Sequence, residues 1–426
     1  MDRNKYFIVL KFLSFFLIKN KNMIRKTIIL GGGTFQPIRN HLSLAAPAFG
    51  NTARQITEIY KKNKVIYESY LTKMAENTSN LITNEDVEKL IDKLLLNEEV
   101  GTIILNVAFC DYTSLPIDNI ENNSHAERLL TSNGNISLEL TPTDKIISKI
   151  RKQRPDIFLV GFKTTTNKTE EEQFSIGLKM MKSVKCNLLF CNDTITRNNF
   201  IITAEETIYK QSTREETLKE LVEMTIARSQ GNYNPTNFIK TSENVLMQKA
   251  PKSFQEVIQF LVDNRGFMEN NGNGFTPGHF CYKTSETTFV SSQRKANHNE
   301  VFKNGMSLVI VKDDKFTVVG DKKASVGARS QWMIFKENPG YDCIIHTHNP
   351  LKLEGTIKTT PQKMFQCGSL ECGINTVSNM DTYEDGLIRA VYLDKHGANI
   401  LFNSNTSSSI VIDFIKKHLN LGIKTT

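Results

Sequence analysis

Along this chain short apolar runs of β type alternate with longer stretches of helical spacing. Thr27 to Leu30 is an apolar run that enters Gly31-Gly32-Gly33-Thr34, and Thr102 to Phe109 is another that ends at Asp111. Both read as buried parallel strands, because a strand covered on both faces is apolar throughout. Glu85 to Leu96, between them, has helical spacing. Ile157 to Gly161 and Cys186 to Cys191 supply two further strands, separated by the charged helical stretch Glu170 to Lys185. Strands alternating with helices imply an α/β, doubly wound sheet.

Thr213 to Arg228 reads as an amphipathic helix, followed by a polar stretch, Ser229 to Thr236, that contains Gly and Pro. That stretch is the best candidate linker. A second region opens with the helical Ser253 to Val262, continues through β-like runs at Cys281 to Val290 and Met306 to Val319, and reaches Cys343 to His348. The expected division is an extension at 1–22, a first domain at 23–230, a linker at 231–250 and a second domain at 251–426. Tyr6 to Ile18 is apolar but interrupted by Lys11, and it is shorter than the roughly 20 residues that span a bilayer. No small-residue cleavage site precedes Met23. The expectation is an upstream extension without stable membrane insertion.

Composition narrows the function classes. Of 426 residues, 39% are hydrophobic and 23% charged, the balance of a soluble globular chain. The net charge of +8 comes from 53 basic against 45 acidic residues, and the basic ones are scattered. A nucleic-acid groove would gather them into a stripe, so no nucleic-acid partner is expected. Seven cysteines, an odd number in a long chain, argue for free thiols and a cytoplasmic, reducing compartment. Cys367 and Cys372 lack the C-x2-C spacing of a zinc knuckle.

Two places carry candidate chemistry. A loop at Gly31 to Thr34, following a strand, would turn backbone N–H groups and a hydroxyl toward a phosphate; a plain tight turn is the alternative. In the strand Cys343 to His348, side chains alternate, so His346 and His348 project to one side about 6–7 Å apart at Cα. One ion can bridge that distance, since Zn–N bonds are about 2.0–2.1 Å. His396, in a strand-end turn after Val391-Tyr392-Leu393, is the natural third ligand and leaves a position open for a substrate oxygen.

GGGTFQPIRN at 31–40, Cys110-Asp111-Tyr112, Arg154-Pro155 with Leu159 to Phe162, and Cys191-Asn192-Asp193 together resemble phosphopantothenate–cysteine ligase, over Lys26 to Arg228. The resemblance implies an N-terminal doubly wound Rossmann-like domain that binds a nucleoside triphosphate, CTP or ATP. Nucleotide contacts would fall to Gly32, Gly33, Thr34, Asp111, Phe162 at the base, Lys179 and Lys182 on phosphates, and Asn192 at a strand end. Two positions depart from that pattern. The acyl-intermediate Asn falls at Ala46, and the basic flap is represented by His125 to Leu129, with Arg128 its one certain cation. Fewer fixed donors would then face the developing charge, which discounts the ligase reaction.

The paired His346 and His348 after Pro339, with the later His396-Gly397, resemble the class II aldolase/adducin family over Ser253 to Leu421. That resemblance implies a C-terminal α/β class II aldolase-like domain with Zn2+ and a small phosphorylated hydroxy-carbonyl substrate to cleave or isomerise. Gly278, His279, Ser291 and Ser325, with Ser292 beside them, would hold the substrate phosphate. The acid–base Glu of the family falls at Gly327, which cannot move a proton, and Glu371 is the candidate replacement. A homo-oligomer is expected. Two rival readings are a coenzyme A pathway ligase and a non-catalytic, adducin-like binding protein.

Overall fold

The structure is a computed structural model that describes residues 25–116, 128–230, 236–242, 246–269 and 274–423. The extension at 1–22 and most of the flap at 125–129 lie outside the described residues. The chain folds as two compact units, Met1–Phe200 with Gln211–Val222 and Ile201–Lys210 with Glu223–Thr426. No described helix is long and apolar enough to cross a membrane.

In the first unit, five parallel strands run in the order Tyr67–Leu71, Lys26–Gly33, Val100–Ala108, Phe158–Thr165, Leu188–Asp193. Numbered along the chain this is 2-1-3-4-5, a doubly wound order. Its direction reverses between Lys26–Gly33 and Val100–Ala108, the point where such sheets bind ligands. Ile28, Ile29, Leu30, Ile103 and Ile104 are fully buried, as a sheet covered on both faces requires. The crossover helices start where the sequence places caps. Thr83 and Asp86 form a capping box on the Asn84–Leu95 helix, and Thr169 and Glu172 another on Glu170–Val184, each satisfying backbone N–H groups that a helix start leaves open.

The predicted glycine loop is not a loop. Gly31, Gly32 and Gly33 continue the strand and pair with Asn106, Val107 and Ala108. Gly33 is needed because a Cβ there would lie 2.0 Å from the Ala46 carbonyl oxygen.

The second unit is built on a sheet of ten strands among the described residues. Its order is Thr236–Lys240, Lys315–Gly320, Met306–Lys312, Thr288–Ser292, His279–Ser285, Cys343–Thr347, Gly397–Phe402, Ile388–Leu393, Thr359–Thr360, with Asp381–Tyr383 also on Ile388–Leu393. Pairing is antiparallel through the middle and parallel only at Thr236–Lys240 and Thr359–Thr360. Part of the expected linker is therefore sheet, and Met247 and Ala250 enter the core.

Alternation sorts the central strands onto two faces. Phe280, Tyr282, Cys343, Ile345, Ile400 and Phe402 pack under helices Lys252–Asp263 and Ser408–His418. Cys281, Ile344 and Leu401 pack on the other face with Ala328, Ile334 and Phe335 of helix Ala328–Glu337. His346 shares the parity of Ile344 and so points to that second face.

Candidate metal centre

Three imidazoles converge in the second unit. His346 is the penultimate residue of the Cys343–Thr347 strand, His348 follows the strand, and His396 sits in the turn joining Ile388–Leu393 to Gly397–Phe402. Ring centroids are 4.9 Å apart for His346 and His348, 4.7 Å for His346 and His396, and 4.8 Å for His348 and His396. One nitrogen from each ring lies within 4.8 Å of the others, the only such group of three potential ligands among the described residues. Gly397 makes the turn possible. Its φ is +141° and a Cβ would meet the Thr347 carbonyl oxygen at 1.9 Å, so only glycine lets the third histidine approach this strand.

These nitrogens suit a metal ion. His346 Nδ1 donates to the Ala398 carbonyl at 3.0 Å, which fixes the tautomer and leaves Nε2 as a lone-pair donor. His346 Nε2 and both His396 nitrogens are buried without a hydrogen-bond partner. Burial, then the neighbouring His279, His396 and His348, hold His346 well below its ordinary pKa. His396 is brought down to about 4, by burial first, with Glu205 opposing. Both rings are thus neutral at pH 7, the state a metal requires, and a buried polar nitrogen left unpaired costs about 1–3 kcal/mol that coordination would recover.

The phosphate residues expected around this centre have other partners. His279 is opposite His346 in the ladder, with ring centroids 4.6 Å apart. A relay fixes its orientation: Ser291 Oγ donates to Gln331 Oε1 at 2.9 Å, and Gln331 Nε2 donates to His279 Nδ1 at 2.6 Å. Burial depresses His279 to about 3. Ser291 and His279 are therefore interior groups, correcting their expected contact with a phosphate. Ser325 is half-buried and accepts from the Gly327 N–H at 3.2 Å. Gly278, at φ +93°, packs against the His346 carbonyl oxygen and its own carbonyl accepts from His298 Nε2 at 3.0 Å.

Gly327, where a carboxylate was expected, has a packing reason to be glycine. A Cβ there would lie 2.3 Å from His279 Nε2, so the His279 ring fills the space of the missing side chain. Glu371 lies in the first turn of helix Leu370–Asn379, and its segment borders the same place: a Cβ on Gly368 would meet the Val326 carbonyl oxygen at 2.0 Å. Sequence reasoning missed Gln331, whose relay is visible only once two strands and a helix are assembled.

In the first unit the expected nucleotide residues divide. Thr34 is fully buried, its hydroxyl donates to Asn84 Oδ1 at 2.6 Å, and the Gly33 and Thr34 N–H groups donate to Ala48 and Ala108. Gly32, Gly33 and Thr34 thus form no phosphate cradle, because strand pairing and the Asn84 contact consume their donors. Asp111 is exposed at the switch point and pairs with Lys145 at 2.5 Å. Phe162 packs at a tilt against Phe190 with centroids 5.5 Å apart, Asn192 accepts from Thr164 at 3.2 Å, and Lys179 and Lys182 lie exposed on helix Glu170–Val184. Asp193 accepts from the Asn167, Lys168, Ile195 and Thr196 N–H groups, which outweigh burial and hold its carboxyl well below the usual range. It braces the strand end.

Residues 53–229 match the family described as DNA/pantothenate metabolism flavoprotein C-terminal domain. Among curated relatives, the coenzyme A biosynthesis bifunctional protein CoaBC of Thermococcus kodakarensis is 28% identical over 125 residues, covering 29% of this chain and 29% of that protein. The chain therefore spans under a third of that relative. Among solved structures, the DNA/pantothenate metabolism flavoprotein from Streptococcus pneumoniae is 22% identical, covers 48% of this chain and 99% of its own, and has a TM-score of 0.42. L-fuculose-1-phosphate aldolase from Thermus thermophilus is 13% identical, covers 39% of this chain and 89% of its own, and has a TM-score of 0.25.

Proposed function

We propose that the second unit is a zinc-dependent enzyme of the class II aldolase type, acting on a phosphorylated hydroxy-carbonyl compound. The observation that carries this is the set of three converging imidazoles, with buried nitrogens that lack partners. A bound zinc ion would supply Lewis acidity to polarise a substrate carbonyl. The chain's own part is to hold His346 and His396 neutral, to orient His346 through the Ala398 carbonyl, and to move a proton. Zinc removes no carbon-bound proton, so a base is still needed, and Glu371 is the carboxylate assigned to it. Metal analysis after dialysis tests the centre. Background zinc in protein with all three histidines intact would sink this reading.

The family match over 53–229 favours a second activity for the first unit, nucleotide-dependent ligation in coenzyme A synthesis. Asp111, Phe162, Asn192, Lys179 and Lys182 would hold CTP or ATP outside the carboxyl ends of the strands. Ala46 supplies no amide donor to an acyl intermediate, which leaves nucleotide binding as the firmer part of that assignment. Titration calorimetry with ATP and CTP distinguishes a working site from a fold without its ligand.

A further inference from the structure

We propose that Glu205 is a positioning residue for the metal centre, its buried carboxylate and the hairpin that carries it fixing His396 for coordination; this rests on the zinc reading above. Glu205 comes from the stretch that matches the DNA/pantothenate metabolism flavoprotein C-terminal domain, yet it folds into the second unit. It occupies the turn between Asn199–Thr203 and Ile208–Tyr209, strands that pair Ile201 with Tyr209 and Ile202 with Ile208.

That hairpin grips the turn bearing the third histidine. Thr207 Oγ1 donates to the Lys395 carbonyl at 2.9 Å, and Lys395 Nζ lies 5.5 Å from the centre of the Tyr209 ring. Glu205 itself is held from two sides. Arg228 NH1 contacts it at 3.0 and 3.2 Å, and the Cys367 N–H donates to it at 2.6 Å. Arg228 is anchored in turn by donating to the Lys363 carbonyl at 2.8 Å. The side chains of the pair are 1% and 2% exposed, so the carboxylate is an interior charge of fixed place.

Glu205 lies two residues before Thr207, whose hydroxyl holds the Lys395 carbonyl immediately before His396. Both His396 nitrogens lack partners, and only one can meet a metal. Metal-bound imidazoles commonly direct their other N–H to a carboxylate or carbonyl, and loss of that partner costs about 10–100-fold in metal affinity. Coordination leaves the free N–H more positive, and the hairpin that grips the His396 turn carries Glu205 as its buried carboxylate. An interior ion pair is a weak source of stability by itself, since desolvation offsets most of its attraction. A role at the metal centre accounts for its presence here.

The test uses the full chain and zinc alone, with affinity read by chelator competition and geometry by the absorption bands of the cobalt-substituted protein. Glu205→Gln leaves Arg228 buried without its partner, so the double variant Glu205→Gln/Arg228→Gln, which removes both charges, is measured beside it. Thr207→Val cuts the bond to Lys395 without touching charge. Both charge variants are expected to bind zinc about 10–100-fold more weakly than wild type, with shifted cobalt bands, and Thr207→Val a few-fold more weakly. Glu205→Asp should recover part of the loss. If the folded double variant binds zinc within twofold of wild type with unchanged bands, Glu205 is only the partner of Arg228 and the proposal falls. Should neither charge variant fold, the zinc affinity of Thr207→Val decides, and a wild-type value overturns it. No zinc on wild type removes the metal reading itself, a different result from tight zinc on every variant.

Discussion

Gly327→Ala tests the idea that the His279 ring occupies the room of a lost side chain. The backbone at Gly327 is helical, φ −69° and ψ −9°, so alanine fits it without strain. On backbone grounds alone the change should stabilise by about 0.4–1 kcal/mol, because alanine restricts the unfolded chain. The new Cβ, however, would lie 2.3 Å from His279 Nε2, 2.5 Å from Cδ2 and 2.9 Å from Cε1. The ring cannot swing away, since Gln331 holds Nδ1 and His346 lies against its face. Overpacking a tight interior typically costs about 1–3 kcal/mol, so the net expectation is a destabilisation of about 1–2 kcal/mol. Trp332, the single tryptophan, sits in the helix that Gly327 caps and stacks on Phe289, which makes its fluorescence during urea unfolding a report on this unit. The decisive comparison is the double variant with His279→Ala, which vacates the space. Its loss should fall short of the two single losses added together, with a coupling of about 0.5–3 kcal/mol. A Gly327→Ala protein more stable than wild type, or strictly additive losses, would refute the packing argument.

Four further outcomes are expected. Dialysed wild-type protein should retain close to one zinc per chain, lost in His346→Ala, His348→Ala or His396→Ala, and a chelator should lower the thermal midpoint of the intact protein; metal analysis and a thermal shift check this. ATP or CTP should give binding heat that Asp111→Asn weakens, and silence with both nucleotides at millimolar concentration would contradict the assignment. His298 is depressed to about 4, by burial despite its bond to the Gly278 carbonyl, so the unfolded chain binds its proton first as pH falls. Its share of stability is complete above about pH 6.5 and lost progressively toward pH 4, on the order of 3 kcal/mol, and urea midpoints of the metal-free protein across that range, compared with His298→Asn, measure it. Glu371→Gln, which keeps shape and removes basicity, should lower turnover of any phosphorylated ketose substrate by about 10²–10⁴-fold, and unchanged turnover dismisses the residue.

Period and burial made much of this fold readable. The parallel strands at Lys26–Gly33 and Val100–Ala108 are continuous apolar runs, and helices such as Lys252–Asp263 follow the spacing of Phe254, Val257, Ile258 and Leu261. The histidines were legible because alternation in a strand fixes which side chains share a face. The glycine run was misread as a loop, since glycine signals a turn and an approach of neighbouring backbone equally, and here the approach by Ala46 decides. Ser291 and His279 look like surface ligands in a sequence, but their polar atoms pair across a strand and a helix. The unit boundary was also hidden, because Thr207 meets its partner 188 positions later.

That separation sets a schedule for synthesis. At about 5–20 residues per second, the hairpin carrying Glu205 leaves the ribosome roughly 10–40 s before the turn it must grip exists. During that interval the Thr207 hydroxyl awaits the Lys395 carbonyl and the Glu205 carboxylate awaits the Cys367 N–H. The His346, His348 and His396 cluster is therefore among the last features of the nascent chain to close, and an unfinished chain of this protein presents chaperones with a second unit that has begun but lacks its third histidine.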